Sequence, residues 1–485
     1  MPSASPIAPR RLNNKWEYGF AIIICLALLL SVGLYNPLPA LIPAGILFSF
    51  FAVSRPAVLF GLFFFLLPFS IEFELPGGLG TDLPSEPLMI VLSVITLLML
   101  VLNAGKKQTA YIRHPITLVL IAHIFWIFIS SFTSGIPVYS FKFLLAKLWY
   151  VLPFYFLPLL ILSNEADYRF VFKCLLTGLL IAAGYVMLRH AGLGFSFKSI
   201  NEAVKPIFRN HVNYGVMLVI ALPYMAYLYK STQRQSKLLH VLAIGFLVLA
   251  IYLTYTRAAQ LSIVIAICSV YLIRKKLIKA ALLTSFLFLS GGLLFLASDN
   301  SYLDMAPDYT RAIEHTKFDN LVEATAKMED ISTVERFYRW IAGINMISDK
   351  PLTGFGPSTF YESYRPYTIT SYKTFVSDNP EKSGIHNYYL MTAAEQGLLG
   401  LLLFVALCVL SLLYAEKNYH RRINKESRAL LMASAVSLIV ILAVLLINDL
   451  LEADKVGPFF FLCMAIVVAM DLRGNNKINE AKHEL

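Results

Sequence analysis

Four short strings in this sequence hold side chains that can do chemistry. Arg209 stands in Phe208-Arg209-Asn210-His211-Val212-Asn213-Tyr214-Gly215, and Arg257 stands in Tyr255-Thr256-Arg257-Ala258. Each marks the mouth of an apolar segment. Two guanidinium groups at one depth offer forked donors that match phosphate oxygens, so the pair reads as a clamp for a diphosphate. An arginine at a membrane boundary also snorkels to the interface, and that reading stands beside the first. The third string is Thr333-Val334-Glu335-Arg336-Phe337-Tyr338-Arg339-Trp340. Arg336 and Arg339 are three apart and share one helix face, turned either to a ligand or to solvent. The fourth, Gly384-Ile385-His386-Asn387-Tyr388-Tyr389, opens an apolar helix. A neutral imidazole there can take a proton, and a helix N-terminus disfavours the imidazolium. Glu395 follows on the same helix, an ionisable group in an apolar segment and therefore a candidate site residue. Between the third and fourth strings lie Tyr361, Tyr364, Tyr367 and Tyr372, with Arg365. Aromatic faces with polar tips suit sugar rings, and they suit anchoring at an interface equally.

The elements that position these residues are set by a membrane. Of 485 residues, 58% are hydrophobic and 15% charged, where soluble domains run to about 25% charged. Phe20 to Phe50 carries no charge, and neither does Val436 to Asn448. Hydropathy gives about 14 runs, near the roughly 20 residues a span needs. The expected fold is an all-α polytopic membrane protein with about 12–14 transmembrane helices. The run after Arg10, Arg11 and Lys15 is longer than a signal-peptide core and lacks a clear cleavage site, so it reads as a retained first span.

Charge gives the runs a direction. With the N-terminus inside, the inner loops carry Lys106, Lys107 and Arg113, then Lys230, Arg234 and Lys237. Further along they carry Arg274 to Lys279 and Lys417 to Arg428. Outer loops are acidic at Glu72, Glu74, Asp82 and Glu86, and again at Asp449, Glu452 and Asp454. Both termini are then cytoplasmic. The division is 1–297 for the N-terminal spans, 298–385 for one large periplasmic, partly helical loop, 386–472 for the C-terminal spans and 473–485 for a cytoplasmic tail. Within the loop, Ser332 and Thr333 before Glu335 begin a helix that runs to about Ser348. Pro351, Gly354, Gly356 and Pro357 close it in a tight turn. One outer stretch breaks the charge rule: Arg189, Lys198, Lys205 and Arg209 face only Glu202, which suits an anion or a tolerated loop.

Several classes fall away. The net charge of +11 lies mostly in the inner loops and reads as topology and contact with anionic lipid, not nucleic acid. Cys25, Cys174, Cys268, Cys408 and Cys463 all sit in apolar segments, against disulfides and a Cys-ligated metal. There is no Walker A loop and no His-Glu-x-x-His, and no Asp-x-Asp on an outer loop. A polysaccharide flippase or other transporter stays as an alternative: it predicts paired charges at mid-membrane and related halves, and this asymmetric, outer-face arrangement favours an enzyme over it.

Taken in order, the strings resemble the O-antigen ligase and Wzy-type polymerase superfamily. Those strings are Arg336-Phe337-Tyr338-Arg339-Trp340, Pro351-Leu352-Thr353-Gly354-Phe355-Gly356, His386-Asn387-Tyr388-Tyr389-Leu390 and Glu395-Gln396-Gly397-Leu398-Leu399-Gly400. Thr256-Arg257-Ala258 and the spacing of Arg209 to Asn213 are similar to the family's upstream elements. The likeness runs from about Arg209 to Gly400. It implies a metal-independent, inverting glycosyltransferase with no cofactor. The implied donor is a glycan on undecaprenyl diphosphate at the outer leaflet of the bacterial inner membrane. His386 would be the catalytic base on the acceptor hydroxyl. Arg209 and Arg257, with Arg336 and Arg339, would hold the diphosphate, and Tyr361, Tyr364, Asn387 and Glu395 would contact glycan or acceptor. The acceptor is lipid A core for a ligase and a growing glycan for an O-antigen, capsule or exopolysaccharide polymerase. A protein O-glycosyltransferase shares the donor chemistry.

Overall fold

The computed structural model describes residues 53–298, 331–368 and 384–483, except 76–78, 103–105, 233 and 423, with scattered positions between 25 and 50. Residues 1–59 form a unit of their own, and Phe60–Leu485 form the unit that contains the helical bundle. The runs expected near 18–34 and 37–54 lie almost wholly outside the described residues. So do 299–330 and 369–383 of the long loop, Tyr372 among them.

Thirteen principal helices follow one another among the described residues. They are α1 (Pro56–Leu66), α2 (Ser85–Leu102), α3 (Pro115–Phe132), α4 (Pro137–Ile161), α5 (Glu165–Gly192), α6 (His211–Ser231) and α7 (Lys237–Tyr252). The chain continues with α8 (Arg257–Arg274), α9 (Ile278–Ala297), α10 (Ile331–Asp349), α11 (Tyr388–Arg421), α12 (Lys425–Val444) and α13 (Gly457–His483). Nine helices among the described residues are long and apolar enough to cross a membrane, and three shorter apolar ones join them. Exposed Phe125, Leu188, Ile267, Phe288 and Leu402 give the outside an apolar coat suited to lipid. One acidic connection is not helical. Ile71–Leu75 pairs antiparallel with Leu79–Leu83, Ile71 opposite Leu83, because Ile-Glu-Phe-Glu-Leu alternates with the period of a strand.

Helix starts are written in asparagine. Asn164 caps α5 in a reciprocal box with Asp167, and Asn210, Asn387 and Asn424 cap α6, α11 and α12. A side-chain oxygen takes an N–H that would otherwise be orphaned in a medium without water. Inside the spans, Ser93, Thr96, Ser262, Ser269 and Ser411 donate to the carbonyl one turn back and so lose no bond in lipid.

The bundle has two distinct ends. At one, Arg421 and His114 reach Asp471, Arg169 pairs with Glu426, and Glu416 accepts from Ile278 N. This end gathers the basic connections. Tyr227 of α6 donates to Glu426 at the start of α12, so α6 and α12 run antiparallel and α6 begins at the other end. There Tyr388 N donates to Leu445 O and His211 Nδ1 donates to Thr254 O. The starts of α6, α8 and α11 therefore share one end with the end of α12. Arg209, Arg257 and His386 begin or flank elements at this end, and α10, which carries Arg336 and Arg339, packs there against the start of α11.

Helix α11 is broken. Gly397 has φ 72° and ψ 178°, well outside helical values. The segment after α10 fills the break: Phe355 N donates to Ala394 O, Gly356 N to Glu395 O, and Leu398 N to Pro351 O, all at 2.8–3.0 Å. Gln396 is held from the other side, its carbonyl by Trp126 Nε1 at 2.8 Å and its side chain beside His123 Nε2 at 3.1 Å. The expected tight turn of Pro351 to Pro357 is thus an inserted strip between α11 and the α3–α4 turn, where Ser140 donates to Pro357 O. The strip needs bare backbone. A Cβ on Gly354 would collide with Glu395, and one on Gly397 with the Leu352 carbonyl.

Gly397→Ala is expected to destabilise the protein by about 1–3 kcal/mol, through strain at positive φ and the clash. Gly184→Ala in α5, where nothing lies within 4 Å, should be neutral or gain about 0.5–1 kcal/mol. Thermal unfolding of both variants in one detergent checks the difference; equal melting temperatures would refute the inserted strip.

Candidate functional site

The site is built where α11 begins. Asn387 accepts from Tyr389 N and Leu390 N at 3.1 and 3.0 Å and fixes that start. His386 precedes it at φ 54°, so the chain turns sharply and the imidazole stays one-third exposed. Its Nδ1 lies 3.8 Å from Oδ1 of Asp449, at the turn after α12. Gly384 makes that approach possible, since a Cβ there would collide with Oδ2 of Asp449. The same glycine offers its carbonyl to Arg339 Nη1 at 2.9 Å.

Arg339 is only 4% exposed, which excludes the solvated-face reading for it. It and the half-buried Arg336 act on both titrating groups. Burial first, then these two arginines, hold His386 down to about 4. Burial pushes Asp449 up to about 6, against the backbone N–H of His386 and the two arginines, which lower it. At neutral pH the pair is a neutral imidazole against a carboxylate, with the imidazole partly accessible. That combination can receive a proton from an alcohol.

Helix α10 carries the arginines and is seated by its apolar face. Met346, Phe360, Tyr364, Ile385, Leu390 and Ala394 form a buried cluster with Trp340, Ile344 and Tyr361 packed around it. Burying side chains of this size contributes about 1.5–3 kcal/mol each. Tyr364 is fully buried and stacks on Phe360 at 5.3 Å, so its ring belongs to this cluster and has no face left over. Tyr361 is half-buried, with Arg365 6.0 Å from its ring. Glu395 is buried beneath, and its two oxygens accept from Ser358 N at 2.9 Å and Phe360 N at 3.0 Å. Asn387 and Glu395 thus act on the backbone that carries the site.

Asp449 is a site residue that sequence reasoning misses. Its charge groups it with Glu452 and Asp454 as one acidic outer turn, a topology signal. Its one distinguishing mark is its position directly after the charge-free run Val436 to Asn448. Glu452 in the same turn pairs with the buried Lys147 of α4 and accepts from Tyr388 at 2.6 Å. Tyr150 donates to the Glu452 carbonyl at 2.9 Å. The turn holding Asp449 is thereby tied to α4 and to the start of α11.

Arg209 and Arg257 occupy a second patch at this end. Asn210 accepts from Asn213 N at 2.9 Å, which leaves Arg209 just outside α6 and exposed. The His211 ring donates to Thr254 O at 2.8 Å, and Thr256 donates to His211 O at 3.3 Å. These bonds stitch the two arginine-bearing turns together. Gly215 lets α6 and α8 close up, since a Cβ there would stand 3.0 Å from Ala259 Cβ. The two patches are linked by the turn after α12. Lys455 donates to Ile207 O beside Arg209, and six residues lead from Asp449 to Lys455. That length of chain spans at most about 20 Å. Among the described residues, no group of three or more His, Cys, Asp or Glu could hold a metal ion.

Fold and site together define an all-α polytopic membrane protein with ionisable groups gathered at one end. Residues 242–405 match the O-antigen ligase family, and that stretch of the chain is similar to it. The matched stretch includes Arg257, Arg336, Arg339, His386 and Glu395, and it supports a membrane role of the ligase or polymerase kind. A comparison with curated proteins finds no match.

Glu395→Gln leaves one of the two backbone donors facing an amide donor, a loss of about 1–3 kcal/mol. Amides of 354–361 should then exchange faster with deuterium, while α12 stays protected. Unchanged exchange in 354–361 would refute the role given to Glu395.

Proposed function

We propose that this chain is a membrane glycosyltransferase that moves a glycan from undecaprenyl diphosphate to an acceptor hydroxyl at the periplasmic face of the bacterial inner membrane. The observation that carries the reading is the neutral His386 against Asp449, flanked by Arg336 and Arg339. The acceptor O–H gives its proton to Nε2 of His386, since Nδ1 faces Asp449. The acceptor oxygen bonds to the anomeric carbon from the side opposite the diphosphate. The bond from that carbon to the diphosphate oxygen breaks, with inversion. Negative charge grows on the leaving diphosphate, where Arg209 and Arg257 receive it as fixed donors. The Asp449 carboxylate stabilises the imidazolium until its proton returns to solvent or product. Tyr361 is the tyrosine with surface to offer a sugar, while Tyr364, Asn387 and Glu395 position the others.

The acceptor is lipid A core in this reading, as in a ligase. Polymerisation onto a second lipid-linked glycan uses the same site chemistry. A deletion strain separates them: loss of polymer from lipid A with build-up on the carrier marks a ligase, and single repeats in place of long chains mark a polymerase.

With purified protein, lipid-linked glycan and acceptor, His386→Ala is expected to lower kcat by about 10²–10⁴-fold. Arg257→Ala is expected to raise the donor KM at least about tenfold. Full activity in both, with normal membrane insertion, would sink the assignment.

The pH profile follows from Asp449. As pH falls through about 6 its carboxylate takes a proton, while His386, at about 4, stays neutral. The rate should therefore drop on the acid side with a midpoint near 6, before the base itself is lost. In Asp449→Asn the plateau should be lower and this limb absent; a limb that persists there belongs to another group.

A further inference from the structure

Lys455 is a buried cation at the end of the bundle that holds the site, 6% exposed. Its ammonium donates to Ser70 O at 2.8 Å and to Ile207 O, and it sits 4.4 Å from the centre of the Phe208 ring. Asp454 beside it is buried too and accepts from Ser85 Oγ at 3.0 Å, and Ser85 is bonded to Ser70 at 2.6 Å. Ile207 and Phe208 are the two residues before Arg209. Both are buried, while Arg209 is exposed. The ammonium thus grips the backbone and ring that lead directly into Arg209. On the other side Asn210 caps α6, so Arg209 is the one exposed residue between two fixed points. The stretch is held further out as well: Arg189 donates to Lys205 O, and Asn201 accepts from His211 N at 3.1 Å.

An isolated buried ammonium is costly, and its desolvation is offset here by two carbonyls, a ring face and a neighbouring carboxylate. Topology alone does not account for it, since Lys455 breaks an otherwise acidic outer turn.

We propose that Lys455 is a positioning residue for donor binding: it fixes the Ile207–Phe208 backbone so that Arg209 presents its guanidinium to the donor diphosphate. The proposal rests on the reading of Arg209 as a diphosphate ligand. It gives the turn after α12 a task at each end, Asp449 toward the acceptor base and Lys455 toward the donor.

The test is a double-mutant cycle on the full-length protein in nanodiscs, with undecaprenyl diphosphate as the probe in calorimetry. Arg209→Ala should weaken binding by about tenfold or more, and Lys455→Met by about tenfold. The double variant should bind no worse than Arg209→Ala alone, because Lys455 acts only through that side chain. Lys455→Arg keeps the cation and should recover most of the affinity. In turnover assays Lys455→Met should raise the donor KM and leave kcat within about twofold, a split that general loosening of the fold would not produce. If Arg209→Ala weakens binding and Lys455→Met does not, the proposal is overturned and the diphosphate reading stands. If the two losses add, Lys455 acts independently and the proposal is likewise overturned. If Arg209→Ala binds the probe like the wild type, the diphosphate reading fails and takes the proposal with it. Should Lys455→Met fail to fold, Phe208→Leu removes the ring under the ammonium and takes its place in the same cycle.

Discussion

A helix in lipid cannot surrender backbone hydrogen bonds unless something replaces them. Helix α11 surrenders several at Gly397, and the strip from Pro351 to Phe360 replaces them with its own N–H and C=O groups. Most of the site depends on this exchange. It draws the long loop down onto the bundle, and it gives Glu395 two backbone donors to hold. It also sets the apolar face of α10 on the first turns of α11. Arg336 and Arg339 reach His386 because α10 is seated this way.

The second constraint is electrostatic. The turn after α12 bears Asp449, Glu452, Asp454 and Lys455, and each is committed to a different neighbour. Charges in a poorly solvated place must be matched locally, and removing one partner of a buried pair typically costs about 3–5 kcal/mol. A turn held at four points has little freedom to drift. Asp449 therefore meets the imidazole with its own position settled by groups that do not touch the imidazole.

The spans are legible in the sequence because hydropathy and basic loops follow from lipid itself. Twelve of the runs read from sequence fall on apolar helices, and α10 ends within one residue of where its turn residues put it, while Ser332 and Thr333 lie inside the helix instead of capping it. His386 is legible as a polar residue at a helix start. The break is not, because Tyr388 to Arg421 reads as one continuous apolar helix and a glycine does not announce the sign of its φ. Glu395 stands out through the cost of an ionisable group in lipid, and Asn387 only through the family resemblance. Their partners are backbone amides, which no side-chain pattern reveals. Asp449 is hidden among carboxylates that insertion alone explains. Tyr364 differs from Tyr361 only in facing inward, and a stretch without regular periodicity gives no sign of which ring does so.

The inserted strip also bears on how the molecule is made. Chains emerge from the ribosome N-terminus first. The strip precedes α11, yet its bonding partners lie on α11 and on the α3–α4 turn. Asp449 and Lys455 emerge later still. The loop must therefore wait, its backbone groups satisfied by water, until the last spans have entered the bilayer. A chain stalled at any earlier stage carries histidine and arginines but no assembled centre, so the site forms only in molecules whose insertion is complete.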